Sequence, residues 1–232
     1  MSGTPISCAS PSTDWSERTP RSDAVGVRRG PTGRGRPGQG RSRRRGVLGR
    51  PAGDLRYHGL SVQCQCQRFK ILGDQWTSVP LAERAERLRE QTGCDEAGAS
   101  STSGLVAYWD GEPAGWCAVE PRTAFPRLMR TRVPWTGRQE DKADDGVWAV
   151  TCLVVRKDFR GRGLTYPLAR ATIGFARERG ARAIEAYPMI TRPGVEITWG
   201  ELHVGSRNVF ADAGFTEVSA PTLRRVVMRV DF

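Results

Sequence analysis

The sequence has few of the residues on which several common catalytic sites depend. It contains two histidines in 232 residues, and neither a G-x-S-x-G turn nor an H-E-x-x-H run occurs in it. These motifs carry the nucleophile of many serine hydrolases and the metal ligands of zinc proteases. A Walker loop, G-x-x-x-x-G-K-[ST], is missing as well. The chain therefore gives no support to a serine hydrolase, a zinc protease or a P-loop nucleotide hydrolase.

Long apolar stretches and paired cysteine motifs are also missing. No stretch approaches the ~20 apolar residues of a transmembrane helix, and the N-terminus lacks the apolar core of a signal peptide. We therefore predict a cytoplasmic protein with no membrane partner. The six cysteines form no C-x-x-C pair and fit no known zinc module, so we interpret them as reduced thiols and predict no metal site.

Acidic residues are scarce in the first quarter of the chain. Residues 1–57 hold twelve Arg and four acidic residues, a net charge of +8, whereas residues 58–232 carry only +3. The first segment is also rich in Ser, Thr, Pro and Gly and poor in large apolar residues, so we predict a disordered basic tail at 1–57 and one folded domain at 58–232. The cluster Arg41-Ser42-Arg43-Arg44-Arg45 would bind nucleic acid if any part of the chain does. A dispensable extension is the favoured alternative.

The chain does have a strand, a glycine-rich turn and a helix in direct succession. Val147–Val155 is uncharged and rich in β-branched residues, which is typical of a strand covered on both faces. A basic turn with Gly161 and Gly163 follows, and then an amphipathic helix that stops near Gly180. Glycines let backbone N–H groups approach a ligand, and the first helical turn leaves its N–H groups unpaired. This arrangement suits a phosphate or pyrophosphate.

The turn Arg160-Gly161-Arg162-Gly163-Leu164-Thr165 resembles the Q/R-x-x-G-x-G/A motif of the GNAT N-acetyltransferase superfamily, with Thr165 as the last small residue. The run Phe210-Ala211-Asp212-Ala213-Gly214-Phe215 is similar to the closing helix and Gly-Phe of the same superfamily. The resemblance covers residues 60–232. It implies that acetyl-CoA, or another short acyl-CoA, is the acyl donor. It also implies that the backbone of Leu153, Val154 and Val155 pairs with the pantetheine arm of the donor, and that Arg160 to Thr165 surround its pyrophosphate.

The remaining patterns predict an alternation of strands and helices. We expect strands at Leu60–Ile71, Leu105–Trp109, Ala114–Val119, Ala183–Tyr187, Phe215–Val218 and Val226–Val230, helices at Ser78–Gly93 and within Gly205–Ala213, long connections at Arg122–Asp145 and Pro188–Leu202, and Pro221 in the last turn. With the resemblance, this order implies an α/β (α+β) fold. Its mixed, twisted sheet of six to seven strands is flanked by helices. The parallel pair Val147–Val155 and Ala183–Tyr187 splays apart to admit acetyl-CoA, and the acceptor enters from the opposite side.

The implied reaction is transfer of an acetyl group to an amine of a small molecule or a peptide. The amine must lose a proton, so the site needs a base. Glu185 and Tyr187 share one face of a regular strand, and we predict that they form the catalytic pair. His203, Glu201 and Glu196 are alternative bases.

The leaving thiolate must also gain a proton. Many members of the superfamily use a Tyr four residues before Gly-Phe, but this position is Phe210, which has no proton to give. Water, Tyr166 or Tyr187 would then supply it. The same departure leaves open a catalytically weak acyl-CoA-binding sensor. A nucleic-acid-associated protein that acts through its tail and a purely structural domain are further alternatives. Many superfamily members are dimers, so a homodimer is possible, and the sequence does not identify the acceptor.

Overall fold

A computed structural model describes residues 63–93 and 102–232. The predicted tail at 1–57 and the first residues of the predicted strand Leu60–Ile71 lie outside the described residues. The helices are α1 (Leu81–Thr92), α2 (Pro126–Arg130), α3 (Thr165–Arg177), α4 (Trp199–Leu202) and α5 (Arg207–Ala213). The strands are β1 (Gly104–Trp109), β2 (Glu112–Pro121), β3 (Val147–Val155), β4 (Ala183–Ala186), β5 (Thr216–Thr222) and β6 (Arg225–Asp231). None of the helices in this part of the chain has the length and hydropathy needed to cross a bilayer.

The six strands form one mixed sheet in the order β1-β2-β3-β4-β6-β5. β3 and β4 are parallel, and the other neighbouring pairs are antiparallel. This confirms the predicted α/β fold with a mixed sheet flanked by helices. The first seven residues of β3 are buried. This explains its uninterrupted apolar sequence, because helices pack on both faces of the sheet at this strand.

Helices cover both faces of the sheet. On one face, Leu168 and Phe175 of α3 pack with Leu153 of β3 and Phe210 of α5 in the largest apolar cluster. On the other face, Leu88 of α1 packs against Trp116 and Cys152, and α2 contributes to a separate cluster around Tyr187. A ligand that reaches the middle of the sheet can therefore approach from the α3 face or from the α1–α2 face.

Local sequence signals explain the ends of several elements. α1 ends at Gly93, which has φ +62° and whose N–H bonds the carbonyls of Arg89 and Glu90, as expected of a glycine cap. The β1–β2 hairpin turns at Asp110 (φ +49°) and Gly111 (φ +80°), and this pair of left-handed residues is what a tight two-residue hairpin turn requires. The helix predicted at Ser78–Gly93 and the DG hairpin are thus confirmed.

The predicted strand at Leu60–Ile71 is wrong for the residues that the structure describes. Residues 63–71 form helical turns, including the 3-10 turn Gln67–Phe69. The alternating pattern placed Gln67 on a solvated face, but this residue is fully buried, and its amide donates to Gln91 Oε1 at 2.8 Å. A specific tertiary contact has therefore overridden the alternation.

Pro221 was expected in the last turn and instead lies within β5. β5 is the outermost strand of the sheet, where a residue without an N–H group costs no ladder hydrogen bond. The turn falls at Leu223 and Arg224, between β5 and β6.

Candidate active site at the divergence of β3 and β4

β3 and β4 separate halfway along β3. Their pairing begins at Val147↔Ala183 and ends at Val150↔Ala186, and β3 continues to Val155. The predicted splay of this parallel pair is therefore present. Beyond Val150, one edge of β3 faces a gap, and the backbone groups along that edge are the natural place for an extended ligand to bind.

A segment of the chain itself enters this gap. The N–H of Leu153 donates to the carbonyl of His203 at 2.6 Å, and the N–H of Met189 donates to the carbonyl of Gly205 at 3.0 Å. We call residues 203–205 the gap segment. It bridges the two diverging chains, so the backbone N–H of Leu153 is already occupied in this structure. Sequence reasoning missed this contact, because His203 lies fifty residues from Leu153 in a loop with no regular pattern.

The glycine-rich turn lies between the end of β3 and the start of α3. Gly161 and Gly163 both have φ +74°, and a Cβ at either position would meet no atom within 4 Å. Glycine is thus needed for the backbone conformation, which L side chains rarely adopt, and the turn has open space around it. Arg162 lies over the rings of Trp109 and Phe159. No side chain caps the first turn of α3. An open, basic turn at a helix N-terminus suits an anion.

The structure brings the predicted pair Glu185 and Tyr187 together. Both side chains are buried, and the Tyr187 hydroxyl donates to Glu185 Oε2 at 3.0 Å. Glu185 also binds three guanidinium groups: Arg138, Arg229 at 2.8 Å and Arg122 at 3.4 Å.

These contacts fix the protonation of both groups. Burial acts to raise the pKa of Glu185, but the hydrogen bond and charge of Arg138 and the charge of Arg122 bring it below its usual value. Burial and the neighbouring carboxylate raise the pKa of Tyr187 well above its usual value. Glu185 is therefore an ionised, fully bonded carboxylate. A role of the pair in proton transfer stays a prediction, and their contacts resemble those of a buried ion network.

A pocket of about 670 Å³ opens on the face opposite α3. Residues before α1, residues of α2, the gap segment and the β5–β6 turn line it, among them Arg68, Phe69, Arg127, His203, Arg224 and Arg225. Because His203 also contacts Leu153 through its carbonyl, the pocket adjoins the end of the diverging strand. The glycine turn and the pocket thus lie on opposite sides of the gap.

His203 is neutral and has one ring nitrogen without a partner. Nδ1 lies 2.7 Å from the carbonyl oxygen of Gly200, which can only accept, so Nδ1 carries the proton. Nε2 is buried and has no hydrogen-bond partner among the described residues. Burial, with the positive charges of Arg68 and Arg225, lowers the pKa of His203 to about 4.

Phe210 has no proton to give and no access to solvent. It is fully buried and packs edge-on against Phe215, with ring centroids 5.1 Å apart. A methyl group at Gly205 would come 2.7 Å from the Phe210 ring and 3.2 Å from Leu153. The gap segment is therefore closely packed against the core. Tyr166, an alternative acid, is 40% exposed on the first turn of α3.

The mixed sheet, the diverging parallel pair and the glycine turn are together the features of the acyl-CoA-dependent acyltransferase fold. Residues 68–193 match the model of the acetyltransferase (GNAT) family, and the chain belongs to that family. The resemblance inferred from the two motifs is confirmed.

Several solved structures are similar to this chain. The GNAT domain of S. lividans PAT is 23% identical with a TM-score of 0.34, and the match covers 56% of this chain and 60% of that one. The aminoglycoside acetyltransferase AAC(6')-Ib, solved with coenzyme A and kanamycin, is 18% identical with a TM-score of 0.39, over 67% and 79% of the two chains. The CoA-dependent acyl-homoserine lactone synthase BjaI, with SAM and isopentyl-CoA, is 23% identical with a TM-score of 0.40, over 65% and 69%. A comparison with curated proteins found no match.

Proposed function

We propose that the protein transfers an acetyl group from acetyl-CoA to an amine. The observation that carries the proposal is the divergence of β3 and β4 between an open glycine turn on one side and a polar pocket on the other. The pyrophosphate of the donor binds Arg160, Gly161, Arg162, Gly163, Leu164 and Thr165, and its pantetheine arm lies along Leu153, Val154 and Val155.

Donor binding along β3 requires a local rearrangement. The N–H of Leu153 can bind the pantetheine arm or the thioester carbonyl only after it has released the carbonyl of His203. Gly205, at the end of the gap segment, has φ +79°. A glycine there lets the backbone change direction at low cost, so we infer that the carbonyl of His203 turns away from Leu153 as the donor enters, while the His203 ring stays in the pocket.

In the reaction, the amine nitrogen forms a bond to the thioester carbon, and the carbon–sulfur bond breaks. The N–H of Leu153, once free, would polarise the thioester carbonyl. The four arginines of the pocket disfavour a further positive charge, so they favour the neutral, reactive form of the amine. His203 Nε2 can accept a hydrogen bond from the amine, and the proton that the nitrogen loses as the amide forms passes to water. Water or Tyr166 protonates the thiolate, because Phe210 has no proton to give.

The proposal also includes the predicted role of Glu185 and Tyr187 in proton transfer. Their predicted role in proton transfer requires Glu185 to exchange one of its three arginine contacts for the amine. The arginine network instead supports a structural role, because it fixes the start of the connection from Arg122 against β4 and β6. We also expect the protein to act in the cytoplasm, where acyl-CoA donors are made and used.

The test is product formation by the full chain with acetyl-CoA and a panel of amines. Release of the CoA thiol, with mass spectrometry of an N-acetylated product, would support the proposal. If acetyl-CoA binds but no amine of the panel causes release of the CoA thiol, the result would favour a catalytically weak acyl-CoA-binding sensor. The specific observation for that alternative is the buried Phe210.

A further inference from the structure

The pocket on the α1–α2 face is strongly basic. Four arginines line it, Arg68, Arg127, Arg224 and Arg225, and Glu201 is the one acidic residue among its lining residues in the described part of the chain. Glu201 is bound to Arg224 at 2.9 Å. The other three guanidinium groups have no ion pair with a described acidic side chain, although Glu201 also attracts Arg225. Four arginines and one glutamate give the lining a net charge of about +3.

Two polar atoms of the residues that line this pocket have no partner. His203 Nε2 is a hydrogen-bond acceptor, because Nδ1 carries the proton, and Arg225 Nη1 is a charged donor; both are buried and unsatisfied within the described residues. An unsatisfied buried polar group carries a free-energy penalty, and such groups in native structures commonly await a ligand or water. An N–H or O–H donor would satisfy His203 Nε2 and an acceptor oxygen would satisfy Arg225 Nη1, and the four arginines and one glutamate of the lining favour an anionic oxygen at the second position.

We propose that the acceptor is a small amine that also carries an anionic oxygen group, a carboxylate or a phosphate. Arg225 binds the anionic group, and Arg68 and Arg127 add positive charge near it. His203 Nε2 accepts a hydrogen bond from an N–H group of the amine. This inference rests on the proposed function, since it names the acceptor of that same site. It predicts discrimination against polycationic amines, which the net positive charge of the lining repels.

Matched pairs of probes test the charge requirement directly. Each α-amino acid is compared with its carboxamide, and 2-aminoethyl phosphate with ethanolamine, so that the members of a pair share the amine and differ in the anion. Two readouts are measured on the full chain: CoA thiol release in the presence of acetyl-CoA, and the thermal midpoint without acetyl-CoA. We expect at least one anionic member to exceed its neutral partner about tenfold in kcat/KM, the scale of one charge-assisted hydrogen bond, and to raise the midpoint. The carboxylate and phosphate arms show which anion is used.

Arg225→Gln and Arg127→Gln identify the residues responsible. Neither guanidinium has an acidic partner in the described residues, so neither change breaks an ion pair. Arg225→Gln is expected to bring the preference for the anionic member of the best pair to within about threefold, mainly through KM. Arg127→Gln should have a smaller effect in the same direction. Arg170→Gln is the matched control, because Arg170 is an exposed arginine bound to Asp212 and remote from the pocket.

The outcomes separate this inference from the proposed function. If an anionic probe stabilises the wild type and this stabilisation disappears in Arg225→Gln, the anion site is supported, whether or not thiol is released. Absence of thiol release would count only against the proposed acyl transfer. Acyl transfer with equal use of both members of every pair overturns the inference and leaves the proposed function standing. It is also overturned if no anionic probe exceeds its partner in either readout, or if Arg170→Gln changes the preference as much as Arg225→Gln.

Discussion

Glu185 is the most strongly bonded charge in the described part of the protein. Its carboxylate accepts from Arg122, Arg138, Arg229 and Tyr187, and Arg122 is itself fully buried. Removal of one partner of a buried ion network leaves the others uncompensated, at a cost of about 3–5 kcal/mol. We therefore expect Glu185→Gln to lower the free energy of unfolding by about that amount in urea titrations.

Asp231→Asn is the control for this change. Asp231 also binds Arg229, but its side chain is 72% exposed, and an exposed pair contributes about 0–1 kcal/mol. The catalytic hypothesis makes a further prediction. If Glu185 is also the base, the folded fraction of Glu185→Gln should in addition lose acyl transfer.

Stability should depend on pH through two residues in two windows. The pKa of His203 is about 4 in the folded protein and 6.5 ordinarily, so between these values the unfolded chain binds a proton that the folded chain does not. Stability therefore falls as the pH drops from about 6.5 to about 4, by on the order of 3 kcal/mol. The pKa of Glu185 is lowered, so its contribution is complete above about pH 4.3 and is lost below it.

Thermal denaturation of the wild type and His203→Gln between pH 3 and pH 8 checks these windows. His203→Gln should abolish the slope between pH 6.5 and pH 4 and retain the fall below pH 4. A wild-type midpoint that is constant from pH 6.5 to pH 4 would contradict the buried, neutral state of His203.

Sequence reasoning at this scale found part of the site. The period of a strand placed Glu185 and Tyr187 on one face, and they do form a hydrogen bond. The three arginines around Glu185 could not be predicted, because they come from positions 122, 138 and 229 and only the sheet topology brings them together. His203 was one of several alternatives, since a lone histidine in a loop has no sequence pattern that marks it.

At the scale of elements, a substitution in the glycine turn before α3 can distinguish an effect on donor affinity from an effect on folding stability. Gly163→Glu places a carboxylate at the predicted pyrophosphate site and a side chain at φ +74°, which costs about 1–2 kcal/mol. Gly180→Glu is the matched control beyond the other end of α3, since Gly180 has φ +78° and equally open surroundings. We expect similar losses of stability in both variants and a loss of acetyl-CoA affinity of at least tenfold only in Gly163→Glu, measured by calorimetric titration. Equal affinities in the two variants would remove the turn from the donor site.

The elements with strong local signals were predicted well. The glycine cap of α1 and the nine uncharged residues of β3 agree with the structure. The predicted apolar face of α1 was wrong in part, because Leu81 is exposed and Arg84, which was predicted on the solvated face, is buried. The predicted strand at Leu60–Ile71 was wrong because the burial of Gln67 depends on its hydrogen bond to Gln91 in α1. The gap segment was missed for a related reason, since its hydrogen bond to Leu153 joins two chain regions that are distant in sequence.

At the scale of the whole molecule, we predict that the basic tail at 1–57 and the folded domain at 58–232 act independently. The tail at 1–57 lies outside the described residues, and its binding of nucleic acid stays a prediction. Deletion of residues 1–57 should leave acetyl-CoA affinity within about twofold of the full chain. Any affinity of the full chain for a DNA duplex should fall steeply with salt and be lost on deletion. A truncated chain that still binds DNA in a salt-dependent way would place that activity in the folded domain.

The central claim is that the gap between β3 and β4 binds an acyl-CoA donor. The most direct measurement is thermal denaturation of the full chain with and without acetyl-CoA. A ligand that binds only the folded state stabilises it by about 2.7 kcal/mol at a hundredfold excess over its dissociation constant, so the account predicts a midpoint that rises with acetyl-CoA concentration. A midpoint that does not change up to millimolar acetyl-CoA would contradict the account.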